Sequence, residues 1–291
     1  MRPAPAALLR ALPLLRCPLC TGPLDPTGTG VVCPAGHSVD RARQGYLALL
    51  GPRGRRFPGD TVEQVEARER VLSSGLFGPV VSAAAEAVAN AVPDGTARPV
   101  VFEAGAGTGV YLGAALDRLA ARGSEPLGIG TELSVPAVRR LARAHPAAAA
   151  VVADTWQPLP LVDRSVDVVL VVFAPRNPAE FARVLRPGGA LVVVTPGPGH
   201  LEPLRGRLGL LGVPADKERH LAGELGSGWT HVASTSVETT ARPDAATAVD
   251  LALMGPSGVH LDRAAAEAAL EAAGGDTTVT LDVGIHTHRP G

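Results

Sequence analysis

Pro99-Val100-Val101-Phe102-Glu103-Ala104-Gly105-Ala106-Gly107-Thr108-Gly109 is the stretch that decides the fold. Its first six residues are apolar apart from Glu103 and include adjacent valines, so they read as a short buried strand. Three glycines at alternate positions follow, and a helix begins near Val110-Tyr111-Leu112. Strand, glycine loop and helix make the βα turn on which nucleotides sit, the glycines letting main chain approach a ligand that a Cβ would block. A dinucleotide loop, G-x-G-x-x-G, would put its third glycine where this chain has Val110. The pattern here is Glu-x-Gly-x-Gly-x-Gly. An acidic residue at the strand end suits a nucleoside that carries an ammonium group and no phosphate. S-adenosylmethionine is such a ligand, with Glu103 placed for its ammonium and Gly105, Gly107, Thr108 and Gly109 forming the loop beneath it.

Working downstream, Leu127 to Glu132 reads as a second strand ending in a carboxylate that can accept both ribose hydroxyls. Ala148 to Asp154 is a third, which puts the Asp154 carboxylate near the adenine amino group and Thr155 beside it. Val166 to Phe173 is a fourth, buried strand, after which a helix runs from Glu180 to Leu185 and Arg186-Pro187-Gly188-Gly189 stops it. Ala190 to Thr195 is a fifth strand. Every proposed contact, Phe173 included, falls at the carboxyl end of a parallel strand, where an open α/β sheet has its ligand crevice. The fold expected is a doubly wound, Rossmann-like α/β sheet. Val/Thr-rich segments 230–240 and 278–287 read as late antiparallel strands separated by a helix over 243–253, and 201–228 as an insertion beside the site.

Upstream, all three cysteines lie in the first 40 residues, spaced Cys17-x2-Cys20-x12-Cys33-x3-His37. Two knuckles joined by a turn-rich hairpin are the pattern of a structural zinc ribbon, and four protein ligands leave no open position for catalysis. An odd number of cysteines argues against a disulfide framework. The domains expected are a zinc module over 1–50, a connector with helices over 51–95, and the catalytic unit over 96–291. In the connector, Asp60 or Thr61 caps a helix with Glu63 in its first turn.

Charge is polarised. Residues 1–60 hold eight arginines against three aspartates, giving +5, and the other residues carry −6 of the total −1. Arg41, Arg43, Arg53, Arg55 and Arg56 make a basic front end fit for phosphate. A solvated linker explains the same arginines equally well. No apolar run reaches membrane-spanning length, and no signal peptide is read, so the expectation is a cytoplasmic protein with no membrane partner.

Taken together, these residues resemble the class I methyltransferases: Glu103 to Gly109, Asp167 within its apolar strand, and Leu185-Arg186-Pro187-Gly188-Gly189. More narrowly, Cys-Pro-Leu-Cys (17–20), Cys-Pro-Ala-Gly-His-Ser-Val-Asp (33–40), Phe-Pro-Gly-Asp (57–60) and Thr-Pro-Gly-Pro-Gly-His-Leu (195–201) resemble the 23S rRNA guanine-N1-methyltransferases of the tylosin-resistance type. Gly45-Tyr46-Leu47 and Phe173-Ala174-Pro175 agree with this. The resemblance implies methylation of N1 of a guanine in a hairpin loop of domain II of 23S rRNA, lining the peptide exit tunnel, resistance to tylosin-type macrolides, and a homodimer.

Guanine N1 carries a proton that must leave as the methyl arrives, so a base or a group stabilising the O6 anion is useful. His200, just past the fifth strand, and Arg176, past the fourth, are the candidates; a surface histidine and a surface arginine are the bland alternatives. Two rival functions stay open. A small-molecule methyltransferase, acting on an antibiotic or quinone, would need neither the ribbon nor the arginines. A non-enzymatic zinc-ribbon adaptor would not need an intact glycine loop.

Overall fold

The computed structural model describes residues 3–54, 58–212 and 217–291. In chain order, helix α1 (Ala6–Ala11) precedes a three-stranded antiparallel ribbon of β1 (Asp25–Pro26), β2 (Gly30–Val32) and β3 (Ser38–Asp40). Strand β4 (Leu47–Ala48) and helices α2 (Val62–Ser73) and α3 (Gly78–Ala91) lead into the α/β core. There β5 (Val100–Ala104), α4 (Val110–Ala121), β6 (Leu127–Glu132), α5 (Val135–Ala144), β7 (Ala148–Val152), β8 (Val166–Val172), α6 (Pro178–Val184) and β9 (Leu185–Pro196) alternate. The remainder is α7 (Leu204–Leu208), α8 (Lys217–Leu225), β10 (Trp229–Ala241), α9 (Ala245–Leu253), α10 (Arg263–Ala272) and β11 (Val279–Pro290).

Eight strands form one sheet in the order β10-β11-β9-β8-β5-β6-β7-β4. Strands β4 to β9 in it run parallel, and β11 and β10 close the far edge antiparallel. The order reverses at β5, whose neighbours are β6 and β8. That is the switch point beside which a ligand crevice opens. β5, β7 and β8 are buried along their whole length, which is why they read as apolar runs without alternation. Alternate residues still serve opposite faces: Val101, Ala150 and Leu170 pack with α3, α4 and α5, while Phe102, Val151 and Val169 pack with α1 and α6.

The ribbon does not fold away from this core. Cys17, Cys33 and Leu24 share one apolar cluster with α1 and the sheet, and Leu15 bridges Leu161. β4 pairs Leu47 with Val151 as the sheet's last strand. A boundary at residue 50 thus cuts through continuous packing. Two apolar residues are too short a signal to read β4 from the sequence, since it becomes a strand only through β7. In the connector, Thr61 caps α2: its hydroxyl accepts from Gln64 N (3.2 Å) and Gln64 Oε1 accepts from Thr61 N (3.0 Å), a capping box. Among the described residues no single helix is long and apolar enough to cross a membrane.

Candidate functional site

The glycine loop lies between two carboxylates. Glu103 is buried near the end of β5, and its Oε2 has no hydrogen-bond partner. Burial pushes this carboxyl well above the usual carboxylate range, and the charge of Glu132 adds to the push. Gly105 has φ +70°, and a Cβ there would stand 2.7 Å from the Cβ of Ala174, so no side chain fits. Gly107 N donates to Glu132 Oε2 (2.9 Å), which fixes the loop on the tip of β6.

Glu132 Oε1 also accepts from Leu133 N (2.7 Å) and Ser134 N (2.8 Å). A carboxylate offers about four acceptor positions. Three are occupied in this conformation, so one is left for a ligand, against the two ribose hydroxyls expected from sequence. Burial raises the Glu132 pKa, and the N–H groups of Ser134 and Gly107 moderate the rise.

Around the loop, Thr108 Oγ1, Tyr111 OH and Thr131 Oγ1 are buried without partners, as is Glu103 Oε2. Buried polar atoms are nearly always satisfied, so four orphans around one glycine loop describe a cradle for a polar ligand. The donor set fits S-adenosylmethionine: an anionic oxygen for its ammonium, hydroxyls for its carboxylate, and Glu132 at the ribose position. Asp60 and Arg68, which the sequence reading passed over as site residues, complete one wall. Arg68 pairs with Asp60, donates to the Met254 carbonyl (2.9 Å), and runs past Gly107. The Asp60 carbonyl accepts from Ser134 Oγ (2.7 Å). Asp60 lies in the Phe-Pro-Gly-Asp segment; nothing local marks Arg68.

At the tip of β7, Asp154 accepts from Trp156 N (3.0 Å) and Gln157 Nε2 (3.2 Å). Gln157 also donates to the Gly54 carbonyl (2.7 Å), so the loop bearing Arg53 is tied to this tip. Thr155 is buried, and its carbonyl accepts from Asn177 Nδ2 (2.9 Å).

At the tip of β8, Phe173 has φ +49° and is 42% exposed. Its ring lies 5.7 Å from His200, tilted by 34°, and 6.5 Å edge-on from buried Phe77. His200 is buried with Nδ1 unpartnered. Burial lowers its pKa to about 4, so the ring is neutral at physiological pH. Phe173 and His200, 27 residues apart in the chain, are thus brought into one slot. Arg176 pairs with Glu224 on α8, so reaching a substrate oxygen requires that pair to open.

The second site is the ribbon. Cys17 Sγ, Cys20 Sγ, Cys33 Sγ and a ring nitrogen of His37 all lie within 4.8 Å of one another. Cys20 and Cys33 sulfurs are 3.5 Å apart, and His37 Nδ1 is 3.4 Å from Cys33 Sγ. Metal–ligand distances of about 2.0–2.3 Å in a tetrahedron place ligand atoms at such separations. Both knuckles are held by main chain: Thr21 N donates to the Cys17 carbonyl (2.9 Å) and Gly36 N to the Cys33 carbonyl (2.9 Å). The set fits a closed, structural zinc site.

Of the candidate phosphate contacts, Arg43 and Arg53 are exposed, and Arg41 is half-buried and donates to the Pro3 carbonyl (3.5 Å). Arg55 and Arg56 lie outside the described residues, as does Phe57.

Residues 15–53 match a zinc-ribbon family model described as RlmA, N-terminal. The chain is 43% identical to a protein of Micromonospora griseorubida named as a 23S rRNA (guanine-N(1)-)-methyltransferase, across 96% of this chain and 98% of that protein. It is 40% identical to the 23S rRNA (guanine(748)-N(1))-methyltransferase of Streptomyces fradiae, across 95% and 96%. A Bacillus subtilis relative with a name like the first, YxjB, is 33% identical across 66% of this chain and 67% of its own.

Proposed function

The chain belongs to the family of 23S rRNA (guanine-N1)-methyltransferases, and from that premise we propose that it methylates N1 of a guanine in 23S rRNA with S-adenosylmethionine as donor. The finer reading is a guanine in a hairpin loop of domain II near the peptide exit tunnel, with resistance to tylosin-type macrolides as the consequence. The name of the Streptomyces relative supports a single guanine as target. The protein acts in the cytoplasm as a homodimer.

One observation carries the enzymatic reading: buried polar atoms without partners gather at the strand tips where the switch point lies. S-adenosylmethionine, when bound, supplies an electrophilic methyl group on a sulfonium. The protein's part is to orient, dry and deprotonate. Glu103 holds the ammonium, Gly105, Gly107, Thr108 and Gly109 admit the amino-acid end, Glu132 accepts from the ribose, and Asp154 with Thr155 borders the adenine. Phe173 stacks on a splayed guanine, as aromatic side chains do on unpaired bases. His200, neutral and with Nδ1 free, accepts the N1 hydrogen in a hydrogen bond and draws that proton away as the methyl arrives. Arg176 faces O6 once Glu224 releases it. Cys17, Cys20, Cys33 and His37 hold a structural zinc that stiffens residues 1–50 as an RNA-recognition module. Arg41, Arg43, Arg53, Arg55 and Arg56 contact phosphate between it and the catalytic unit at 96–291.

The test is incubation of the purified chain with radiolabelled methyl donor and protein-free 23S rRNA, followed by mapping of the modified base. The expected result is one N1-methylguanine, with incorporation that falls steeply as salt rises. Methyl transfer to small molecules but not to RNA would favour the rival methyltransferase reading.

A further inference from the structure

Trp156 has no part in the methyltransferase reading, yet the fold sets it in the open on the ligand rim. The chain is poor in aromatic residues, with two tryptophans, two tyrosines and five phenylalanines. Among those the structure describes, only Trp156 and Phe173 are exposed, by 49% and 42%. Phe77, Phe102, Tyr111 and Phe181 are buried, and Tyr46 and Trp229 are half-buried. A single exposed apolar side chain needs no explanation. Two exposed aromatics at the carboxyl ends of strands in one parallel sheet make a pattern. Phe173 follows β8, and Trp156 stands in the turn after β7.

The turn that carries Trp156 is fixed from three sides. Asp154 Oδ1 accepts from Trp156 N (3.0 Å), and the Asp154 carbonyl accepts from Gln157 N (3.0 Å). Gln157 Nε2 donates to the Gly54 carbonyl (2.7 Å), next to exposed Arg53. On the other side, Asn177 Nδ2 donates to the Thr155 carbonyl (2.9 Å), and Asn177 lies four residues past Phe173. The turn is therefore tied both to the arginine loop and to the segment that leaves the β8 tip. Asp154 and Thr155 are buried, so the wall of the cradle ends at Thr155 and Trp156 is the first residue outside it. The strand order β8-β5-β6-β7-β4 puts the β7 tip between Phe173 and β4, and β4 joins the ribbon through the Arg41–Leu47 bridge. β7 and β8 stand three strand spacings apart, roughly 14 Å. That spacing suits two bases, one for each ring.

We propose that Trp156 is a second stacking platform, which holds an unpaired base of the RNA loop beside the target guanine. The proposal rests on the RNA-methylation reading and adds a substrate-binding residue to it. An indole face takes any base, so the contact sets position and not sequence. Its use is to fix the phase of the loop. With one base on Trp156, the chain of nucleotides between the two rings is of set length, and a single guanine reaches Phe173 and His200. Arg53, on the loop that Gln157 ties to this turn, is placed for the phosphate of the stacked nucleotide. A small substrate confined to the cradle would not touch Trp156.

Fluorescence and kinetics of the full chain test it. Trp229→Phe leaves Trp156 as the sole tryptophan, so the emission of that variant reports this ring alone. An RNA hairpin with an unpaired loop is expected to quench it, while a fully paired RNA duplex and S-adenosylhomocysteine leave it unchanged. Trp156→Ala is expected to raise KM for protein-free 23S rRNA about tenfold and to move kcat little, with Trp156→Phe close to wild type. Affinity of Trp156→Ala for S-adenosylhomocysteine stays at the wild-type value. Should Trp156→Ala fail to fold, the emission of the Trp229→Phe chain decides. Quenching by S-adenosylhomocysteine alone would give the ring to the adenine and overturn the proposal. An emission unmoved by a hairpin that binds, or an unchanged KM in Trp156→Ala, would overturn it too. In those cases wild-type methylation of RNA stands and only this proposal fails. A wild-type chain that neither binds nor methylates RNA would sink the methylation reading first.

Discussion

The two rims of the central sheet treat buried polar groups in opposite ways. At the N-terminal ends of β8 and β9, acids and bases are matched. Asp167 Oδ2 accepts from Val100 N (2.8 Å) and from Arg186 Nη1 (2.6 Å). Arg183 pairs with Glu180 (2.6 Å) and Asp163 (2.7 Å), and Asp163 also takes Arg16 (2.8 Å). Arg16 Nε is the one orphan there among the described residues. At the C-terminal ends, Glu103, Thr108, Tyr111, Thr131 and His200 each keep a buried polar atom with no partner. Desolvating a polar group without a hydrogen bond costs about 1–3 kcal/mol in proteins, so five such atoms on one rim are tolerated only where something from outside completes them. A satisfied carboxylate is a strut, and an unsatisfied one holds a place for a ligand.

The largest effect that would sharpen this contrast is on the strut side. Asp167→Ala leaves the Val100 N–H buried without an acceptor and the Arg186 guanidinium without its partner. We expect a loss of about 2–3 kcal/mol in urea unfolding, below the roughly 3–5 kcal/mol of a fully buried broken pair because Arg186 is partly exposed. Affinity of the folded variant for S-adenosylhomocysteine stays at the wild-type value. A large loss of that affinity would break the division between the rims.

A smaller effect is expected from Glu132→Ala on the ligand side. The variant loses the acceptor for Gly107, Leu133 and Ser134 N–H groups, and with it both the loop's anchor and the free acceptor position proposed for the ribose. Calorimetry is expected to show binding of S-adenosylhomocysteine weakened by about tenfold, roughly 1.4 kcal/mol. Unchanged affinity would make Glu132 a loop anchor alone.

How far these roles were legible beforehand follows from the range of the forces that set them. The positions of Glu103, Gly105 and Glu132 at strand tips could be read because strand, loop and carboxylate are adjacent in the chain. The cluster of Cys17, Cys20, Cys33 and His37 was legible for the same reason: all four lie within 21 residues. The crevice at the carboxyl ends of the parallel strands followed from the βα alternation; the switch point at β5 needed the strand order. What stayed hidden was assembled across the fold. Arg68 reaches the loop from α2, the partnership of Phe173 with His200 needs β8 and β9 side by side, and Arg176 meets Glu224 only because α8 crosses the rim. The number of acceptor positions left open on Glu132 depended on main-chain donors whose direction the sequence does not state.

Glu103→Gln gives the smallest effect and the most discriminating one, because its sign reverses between the free and the bound protein. Burial raises the Glu103 pKa in the folded chain, so the protonated form is the one the empty fold prefers. A group with a raised folded pKa contributes stability that is complete below its unfolded pKa of about 4.3 and is lost as pH rises through the folded value. Glutamine has the same shape and no proton to lose. The variant should therefore match wild type in acid and exceed it in stability as pH rises through the folded value. Ligand binding runs the other way. An ammonium beside the carboxyl favours its ionised form, so wild-type affinity for S-adenosylhomocysteine climbs with pH up to the folded pKa of Glu103, while the glutamine variant binds more weakly and without that climb. Paired unfolding and calorimetry series across pH read both signs. A variant less stable than wild type throughout, or a wild-type affinity flat in pH, would mean that Glu103 is a strut like Asp167 whose partner has yet to be found, and the contrast between the rims would fail at its centre.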